Sequence, residues 1–257
     1  MPGHDDVVRQ SFTVQAEAYA AQPWIADAER VARLVATVAP QANDRVLDVA
    51  CGPGYVAEAF ARVCREVVAV DLTEAPLRIA EERCRARGLA NVSFLVGHVE
   101  QLPFADGALD LVICRLAVHH FAHPQRVVAE MARVCRKGGT VALEDTAASE
   151  HGARAAYQHR IEVLRDPSHT RTLPLSELLL LLRDAGIETH TVVTGAVIPE
   201  VERWMATTKT PPENAVEVRR LIERDLAENL SGTRPFRDAQ GRLSFHHLTA
   251  VLVGRKL

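Results

Sequence analysis

The sequence has no Cys-x-x-Cys pair, few aromatic residues, almost no lysine and no long apolar run, and three of these scarcities each remove a class of function. Its five cysteines, Cys51, Cys64, Cys84, Cys114 and Cys135, are odd in number, and none is spaced for zinc or for a redox pair. They read as small core residues of a protein kept in a reducing cytoplasm. Aromatic residues make up 5% of the chain, and 33 acidic side chains face 30 basic ones, for a formal net charge of −3. A dedicated nucleic-acid binder shows a basic excess and aromatic stacking platforms, so no nucleic-acid partner is expected. The bases are nearly all arginine, with Lys137, Lys209 and Lys256 the exceptions, which carries no functional weight. The longest apolar run, Leu178 to Leu182, falls far short of the roughly 18 residues that span a bilayer. The opening MPGHDDVVRQ lacks an apolar signal-peptide core, so a cytoplasmic protein without membrane insertion is the expectation.

What remains is ordinary globular composition, 47% apolar and 25% charged over 257 residues. A chain of this length buries roughly 75% of its unfolded surface, enough for one large core or a core with an addition. From residue 45 the apolar pattern alternates. Short β-branched runs at 45–49, 66–70, 92–96, 109–114 and 140–143 predict buried strands, and periodic stretches near 55–64, 74–87 and 124–136 predict helices between them. Strands joined by helices of this length require right-handed crossovers, which build a parallel sheet covered on both faces. A further helix is expected over 26–39, with Asp27 as its cap, and others from about 150 to Arg165 and over 176–185. Residues 187–198 and 245–253 read as two final strands. Between them, 199–241 forms an insertion whose helix opens at Pro212 and presents Val218, Ile222, Leu226 and Leu230 on one face. The five leucines at 178–182 exceed a one-faced helix. They are expected to wedge between sheet and insertion, or, if exposed, to mark a homodimer surface.

The first strand runs into Asp48-Val49-Ala50-Cys51-Gly52-Pro53-Gly54, a glycine turn leading to a helix, where backbone can approach a ligand closely. With Ala57 it also fits a G-x-G-x-x-A dinucleotide fingerprint, although a plain tight turn would look the same. Asp71 ends the second strand 17 positions beyond Gly54, where a carboxylate can receive both ribose hydroxyls or cap the following helix. Together the two features point to an adenosine-containing cofactor without choosing between a nicotinamide dinucleotide and S-adenosylmethionine.

The surrounding stretches supply the choice. VLDVACGPGYVAEAF (46–60), VVAVDLTEAPLRIAEERC (67–84), VEQLPFADGALDLVICRLAVHHF (99–121) and EMARVCRKGGTVALED (130–145) resemble class I S-adenosylmethionine-dependent methyltransferases, most closely the ubiquinone/menaquinone-type (methyltransferase type 11) branch. LRDPSHTRTLPLSELLLLL (164–182) is similar to an uncharacterised bacterial subgroup of that branch. The resemblance implies an α/β fold with a Rossmann-like, doubly wound, seven-stranded sheet, mostly parallel with an antiparallel final strand. It implies one methyltransferase domain over 1–257, with an N-terminal helical cap at 1–40, a cofactor-binding core at 41–146 and a lid insertion at 199–241. S-adenosyl-L-methionine would be the cofactor and S-adenosyl-L-homocysteine the product. Asp48, Ala50, Cys51 and the Gly52–Gly54 turn would hold its amino-acid part, Asp71 the ribose, and Leu72 would pack on the adenine. His98, Val99 and Glu100 would face the adenine edge, Arg115 would line the methionine end, and Tyr19 would close over the cofactor. The branch carries aspartate where this chain has His98, whose neutral imidazole can accept one hydrogen bond from the adenine amino group.

Methyl transfer itself asks for alignment and exclusion of water, with a base only when the acceptor has a proton to lose. His120 and His169 are the candidate catalytic residues. His119, His120 and His123 follow the fourth strand, with the adjacent pair expected to point apart. His119 and His123 have the spacing of a helical metal pair, but with Pro124 following and no carboxylate partner nearby, no metal is expected. Arg165 and Arg171 are placed to grip an anionic acceptor, unless Asp166-Pro167-Ser168 is simply a helix stop whose acids pair with them. His246 and His247 alternate on the last strand with no visible partner. The reading is an enzyme methylating a small organic acceptor. The alternatives are a cofactor-binding protein without methylating activity, and a nicotinamide-dependent oxidoreductase, disfavoured because no Tyr-x-x-x-Lys pair follows the glycine turn.

Overall fold

A computed structural model describes residues 3–257; the first two residues of the expected cap lie outside the described residues. Helices α1 (His4–Ala20), α2 (Pro23–Ala26) and α3 (Ala28–Val38) precede the sheet. Asp27 does cap α3, its side chain accepting from Arg30 N at 3.0 Å. The alternating region follows as β1 (Arg45–Val49), α4 (Tyr55–Ala61), β2 (Glu66–Asp71), α5 (Glu74–Ala86), β3 (Val92–Val96), β4 (Leu109–Arg115), a 3-10 turn (Val118–His120), α6 (Pro124–Val134) and β5 (Cys135–Thr146). Then come α7 (Gly152–Arg165), α8 (Leu175–Asp184) and β6 (Ile187–Val197). The chain closes with α9 (Val201–Thr207), α10 (Pro212–Glu228), the short hairpin β7 (Phe236–Arg237) and β8 (Leu243–Ser244), and β9 (His247–Lys256).

Seven strands form one sheet in the order β3-β2-β1-β4-β5-β9-β6. β1 pairs parallel with β2 and β4, β2 with β3 and β4 with β5, whereas β9 runs antiparallel between β5 and β6. The parallel part is what the apolar pattern anticipated, and the antiparallel last strand is what the family resemblance implied. Strand order reverses between β1 and β4, and in such sheets the crevice outside the carboxyl ends of those strands is where ligands bind. One face is closed by α3, α4 and α5, with Leu34, Val38, Phe60 and Leu77 buried against Val46, Val67 and Ile113. The other is closed by α6 and α8 through Val127, Met131, Leu178 and Leu182. All five cysteines are buried and unpaired within these layers.

Two expectations are corrected here. In α8 the leucines pack on α6 and the sheet rather than on the insertion, with Leu178, Leu181 and Leu182 buried and Leu180 facing out at 41% exposure. A ten-residue helix turning 100° per residue cannot bury five consecutive side chains on one neighbour. In α10 the buried face is Ala215, Val218, Leu221, Ile222 and Asp225; Leu226 is exposed and Leu230 lies beyond the helix. That face meets Ile161, Trp204, Met205 and Phe245 in a second, smaller core. There Arg165 lies 4.5 Å over the Trp204 ring and donates to the Trp204 carbonyl. No helix among the described residues is long and apolar enough to cross a membrane.

Candidate functional site

A cleft of about 960 Å³, counted to its open mouth, lies at the carboxyl ends of β1, β2 and β4 under helix α1. Its size is that of a small-ligand site. The floor begins where β1 ends. Ala50 (φ 54°) and Leu116, just past β4 (φ 54°), both hold left-handed backbone beside it, a conformation costly for residues with a side chain and concentrated at functional sites. Gly52 and Gly54 are also left-handed, for different reasons. A β-carbon on Gly52 would meet nothing within 4 Å, since that position opens on the cleft, whereas one on Gly54 would sit 2.5 Å from Ala80 Cβ of α5. Gly52 therefore leaves room for a ligand, and Gly54 lets α5 pack against the turn.

Asp71 ties these parts together. Its Oδ2 accepts from Gly52 N at 2.9 Å and its Oδ1 from Thr73 N at 2.9 Å. Thr73 is itself the residue before α5, so the carboxylate braces the two loops instead of capping the helix. Burial raises its pKa to about 6, against the lowering pull of these backbone donors. Asp48, at the fourth position of β1, is 1% exposed and its Oδ2 has no hydrogen-bond partner. Burial pushes its pKa up to about 8. An unpartnered buried carboxyl on the wall of a cleft fits a cationic, hydrogen-bond-donating ligand group.

Of the other residues read from the sequence, Tyr19, Ala50, Cys51, Leu72, His98, Val99, Glu100 and Arg115 line this cleft, and Gly54 stands behind it. Tyr19 comes in from α1, its phenol held neutral by a burial that raises its pKa to about 12. The Arg115 side chain is spent on structure: it pairs with Glu144 at 3.0 Å and donates to the Ile25 carbonyl at 3.2 Å. Glu144 also takes Arg30 at 2.5 Å, so α3 is clamped to the ends of β4 and β5.

His98 differs from its expected role. Glu100 N donates to its Nδ1 at 3.2 Å, and its Nε2 lies 2.8 Å from Asp5 Oδ2 of α1. Both ring nitrogens are thus committed, and none is left to accept from a ligand.

Part of the cleft is apolar, walled by Val8, Phe12, Ile25, Ala117, Phe121 and Val127. His120 is the imidazole there. Its Nδ1 is 3.0 Å from the Ser168 carbonyl and 3.1 Å from Ser168 Oγ, and that hydroxyl donates to Asp166 Oδ1 at 2.6 Å. The carbonyl can only accept, so Nδ1 carries the proton and Nε2 is bare. Burial, with the neighbouring charge of His119, depresses the His120 pKa to about 4. Asp166-Pro167-Ser168 is therefore a helix stop and also the buttress of this ring.

His119 does have a carboxylate partner, Asp145 at the end of β5, with Nδ1 to Oδ1 at 2.5 Å. Burial opposes charge on the imidazole, but Asp145 outweighs it and raises the pKa. The two adjacent rings also lie against each other, 4.3 Å between centroids, rather than pointing apart. His169 is buried behind them, 5.5 Å from the His119 ring, and does not line the cleft. Its pKa is strongly depressed by burial and by the cations around it. Arg165 stacks on Trp204 and Arg171 pairs with Glu177 at the surface, so neither reaches the cleft to grip an acceptor. His247 lies 3.2 Å from Glu162 and His246 3.2 Å from the Arg234 carbonyl, so both have the neighbours that sequence reading missed. No residue of 199–241 lines the cleft; that segment braces α1 and α7 from behind. The α1 residues Asp5, Val8 and Phe12 were missed, although 8, 12 and 19 recur at helical spacing.

Comparison with known proteins follows the same outline. Residues 47–143 match the family model described as "Methyltransferase domain". The chain is 30% identical over 207 residues to the uncharacterized methyltransferase YcgJ of Bacillus subtilis (strain 168), covering 80% of this chain and 82% of that one. It is 33% identical to the ubiquinone biosynthesis O-methyltransferase of Thiobacillus denitrificans, over 62% of this chain and 70% of that one. A solved structure from Bacillus halodurans C-125 superposes with a TM-score of 0.83 at 33% identity, covering 89% of this chain and 99% of that one.

Proposed function

The chain belongs to the class I S-adenosylmethionine-dependent methyltransferases, and from that premise we propose that it methylates a small, largely apolar acceptor carrying one acidic proton. The observation that carries the reading is the continuity of the cleft. Asp48, Gly52 and Asp71 lie at one end, the apolar chamber with the bare nitrogen of His120 at the other.

S-adenosylmethionine supplies an electrophilic methyl group: an acceptor lone pair forms the new bond to carbon while the carbon–sulfur bond breaks, its electrons leaving as the thioether of S-adenosylhomocysteine. Asp48 would receive the ammonium group of the amino-acid part, satisfying its orphan Oδ2, and Asp71 the ribose hydroxyls. The left-handed turn at Gly52 brings backbone close between them. The nucleoside would run outward along the sheet, ribose over β2 and base over β3, because β3 is the next strand beyond Asp71. Leu72 and Val99 would then cover the base. Tyr19, Phe12 and Val8 would roof the chamber and keep water out. His120, anchored through Nδ1, would take the acceptor's proton on Nε2 as the methyl arrives, so that no charged acceptor has to be buried beforehand. Its low pKa keeps that nitrogen bare throughout the physiological range. Helix α1 acts as the lid in this reading, and 199–241 as its brace. His169 serves in the packing behind His120.

The test is formation of S-adenosylhomocysteine with a panel of apolar phenols, enols and thiols, for wild type and His120→Ala. We expect turnover to drop by about 100-fold or more in the variant, with the affinity for S-adenosylhomocysteine unchanged. Full turnover by the variant on an acceptor with an acidic proton would remove His120 from the mechanism.

A further inference from the structure

At the outer rim of the cleft, β3 runs into Gly97-His98-Val99-Glu100, and helix α1 lies across it. An adenine held over β3 would bring an exocyclic amine to this rim, a donor that needs an acceptor. His98 is saturated: its Nδ1 receives the Glu100 amide, so its proton sits on Nε2 and is donated to Asp5 Oδ2 at 2.8 Å. Glu100 leans the other way, its Oε2 3.5 Å from Arg126 of α6. Asp71 is used by the Gly52 and Thr73 amides one strand further in. His4, beside Asp5, is turned to the His120 carbonyl at 2.7 Å. Asp6 holds the Gly3 amide.

Asp5 lines the cleft with Oδ1 free of partners among the described residues; Glu100 also keeps one free oxygen, but on a carboxylate drawn towards Arg126, and Asp6 does not line the cleft. One side of its carboxylate is fixed by His98, and the side chain stays half exposed at the cleft. We infer that Asp5 is the residue that reads the adenine amino group, with His98 as the positioning residue that holds its carboxylate in place. The carboxylate that recognises the base thus comes from the lid helix and not from the sheet. Base recognition and closure of α1 over the chamber become one event, because the same helix carries Asp5 at the rim and Phe12 and Tyr19 over the acceptor. The inference rests on the cofactor placement proposed above.

Calorimetry with two ligands tests it without any acceptor: S-adenosylhomocysteine, and S-inosylhomocysteine, in which a carbonyl replaces the amine. Wild type should prefer the adenosyl ligand by about ten- to hundredfold, the value of a hydrogen bond to a charged group. Asp5→Asn should lose that preference while its thermal unfolding midpoint stays put, since the side chain is half exposed. Adding His98→Asp to Asp5→Asn should restore the preference by supplying a carboxylate from β3. A preference kept in Asp5→Asn overturns the inference, and one lost in Glu100→Gln instead reassigns base reading to Glu100. If wild type binds neither ligand, or if Asp71→Ala leaves affinity unchanged, the cofactor placement itself is wrong and the inference falls with it.

Discussion

Gly54 offers the sharpest test of how the glycine turn after β1 is built. Gly52 and Gly54 are both left-handed, at φ 52° and 77°, so alanine at either should cost about 1–2 kcal/mol of backbone strain. Only at Gly54 does the new methyl meet structure, 2.5 Å from Ala80 Cβ and 2.9 Å from Ala80 Cα. The second of these is helix backbone, so α5 must shift, which adds about 1–3 kcal/mol. Gly52→Ala should therefore lower stability by about 1–2 kcal/mol and Gly54→Ala by about 2–5 kcal/mol. Ala80→Gly removes a fully buried methyl from α5 and costs about 1–2 kcal/mol alone. In Gly54→Ala/Ala80→Gly the collision with Ala80 Cβ disappears, so the double variant should be more stable than the sum of the singles by about 1–3 kcal/mol. Urea unfolding of the four proteins followed by circular dichroism measures this cycle. S-adenosylhomocysteine affinity should fall in Gly54→Ala and partly return in the double variant. Additive losses, or equal losses at positions 52 and 54, would refute the packing argument.

Two other expectations concern protons. Asp48 and Asp71 have folded pKa values raised to about 8 and about 6, against roughly 3.9 when unfolded. Their contribution to stability is complete below the unfolded value and is lost as pH rises through the folded ones. Ligand-free protein should lose stability through these groups from pH 4 to 8, and protection by S-adenosylhomocysteine, whose ammonium favours the ionised carboxylate, should grow over the same range. Binding at pH 7 should release up to about one proton, seen as calorimetric heats that vary with buffer ionisation enthalpy; buffer-independent heats, or release undiminished in Asp48→Asn, would contradict the role given to Asp48. Asp145→Asn should cost about 3 kcal/mol, since it breaks a buried charged pair with His119 and sets an amide against the Thr146 N–H that Asp145 now accepts at 2.6 Å. Burial opposes ionisation at both members, but each one's charge raises the His119 pKa and lowers that of Asp145. The pair's contribution is therefore present above the unfolded carboxylate range and fades as pH rises through the raised imidazole value. The penalty should be largest at about pH 4–6.5 and shrink in alkali, and a pH-independent penalty would show that the pair is not charged.

The fold was legible because its signals are local and repeated. Runs such as Val67–Val70 and Leu111–Cys114 can be buried only in a sheet covered on both faces, and helices of α4 or α6 length between them allow only the parallel crossovers observed. That Asp48, Gly52 and Asp71 would share one cleft was legible because each lies at or just past the carboxyl end of a strand, and those ends converge on the switch point of a doubly wound sheet. Read along the chain, by contrast, His119 and Asp145 are 26 residues apart, His120 and Ser168 48, and Asp5 and His98 93. No spacing rule reports such pairs, so His119 looked partnerless and His98 looked free to accept from a ligand. Arg165 failed in the opposite sense. Its charge suggested an anion, but a Trp204 ring brought by the insertion covers it.

By itself, then, the sequence determined the sheet, its helical layers and the glycine turn at the end of β1, because periodicity and backbone conformation are properties of neighbouring residues. Which imidazole faces the chamber, which nitrogen of it is bare, and which carboxylate stands at the rim were decided only by tertiary structure. Those depend on what α1, β5 and the 166–169 turn bring within about 3 Å of each ring, the range in which a hydrogen bond forms.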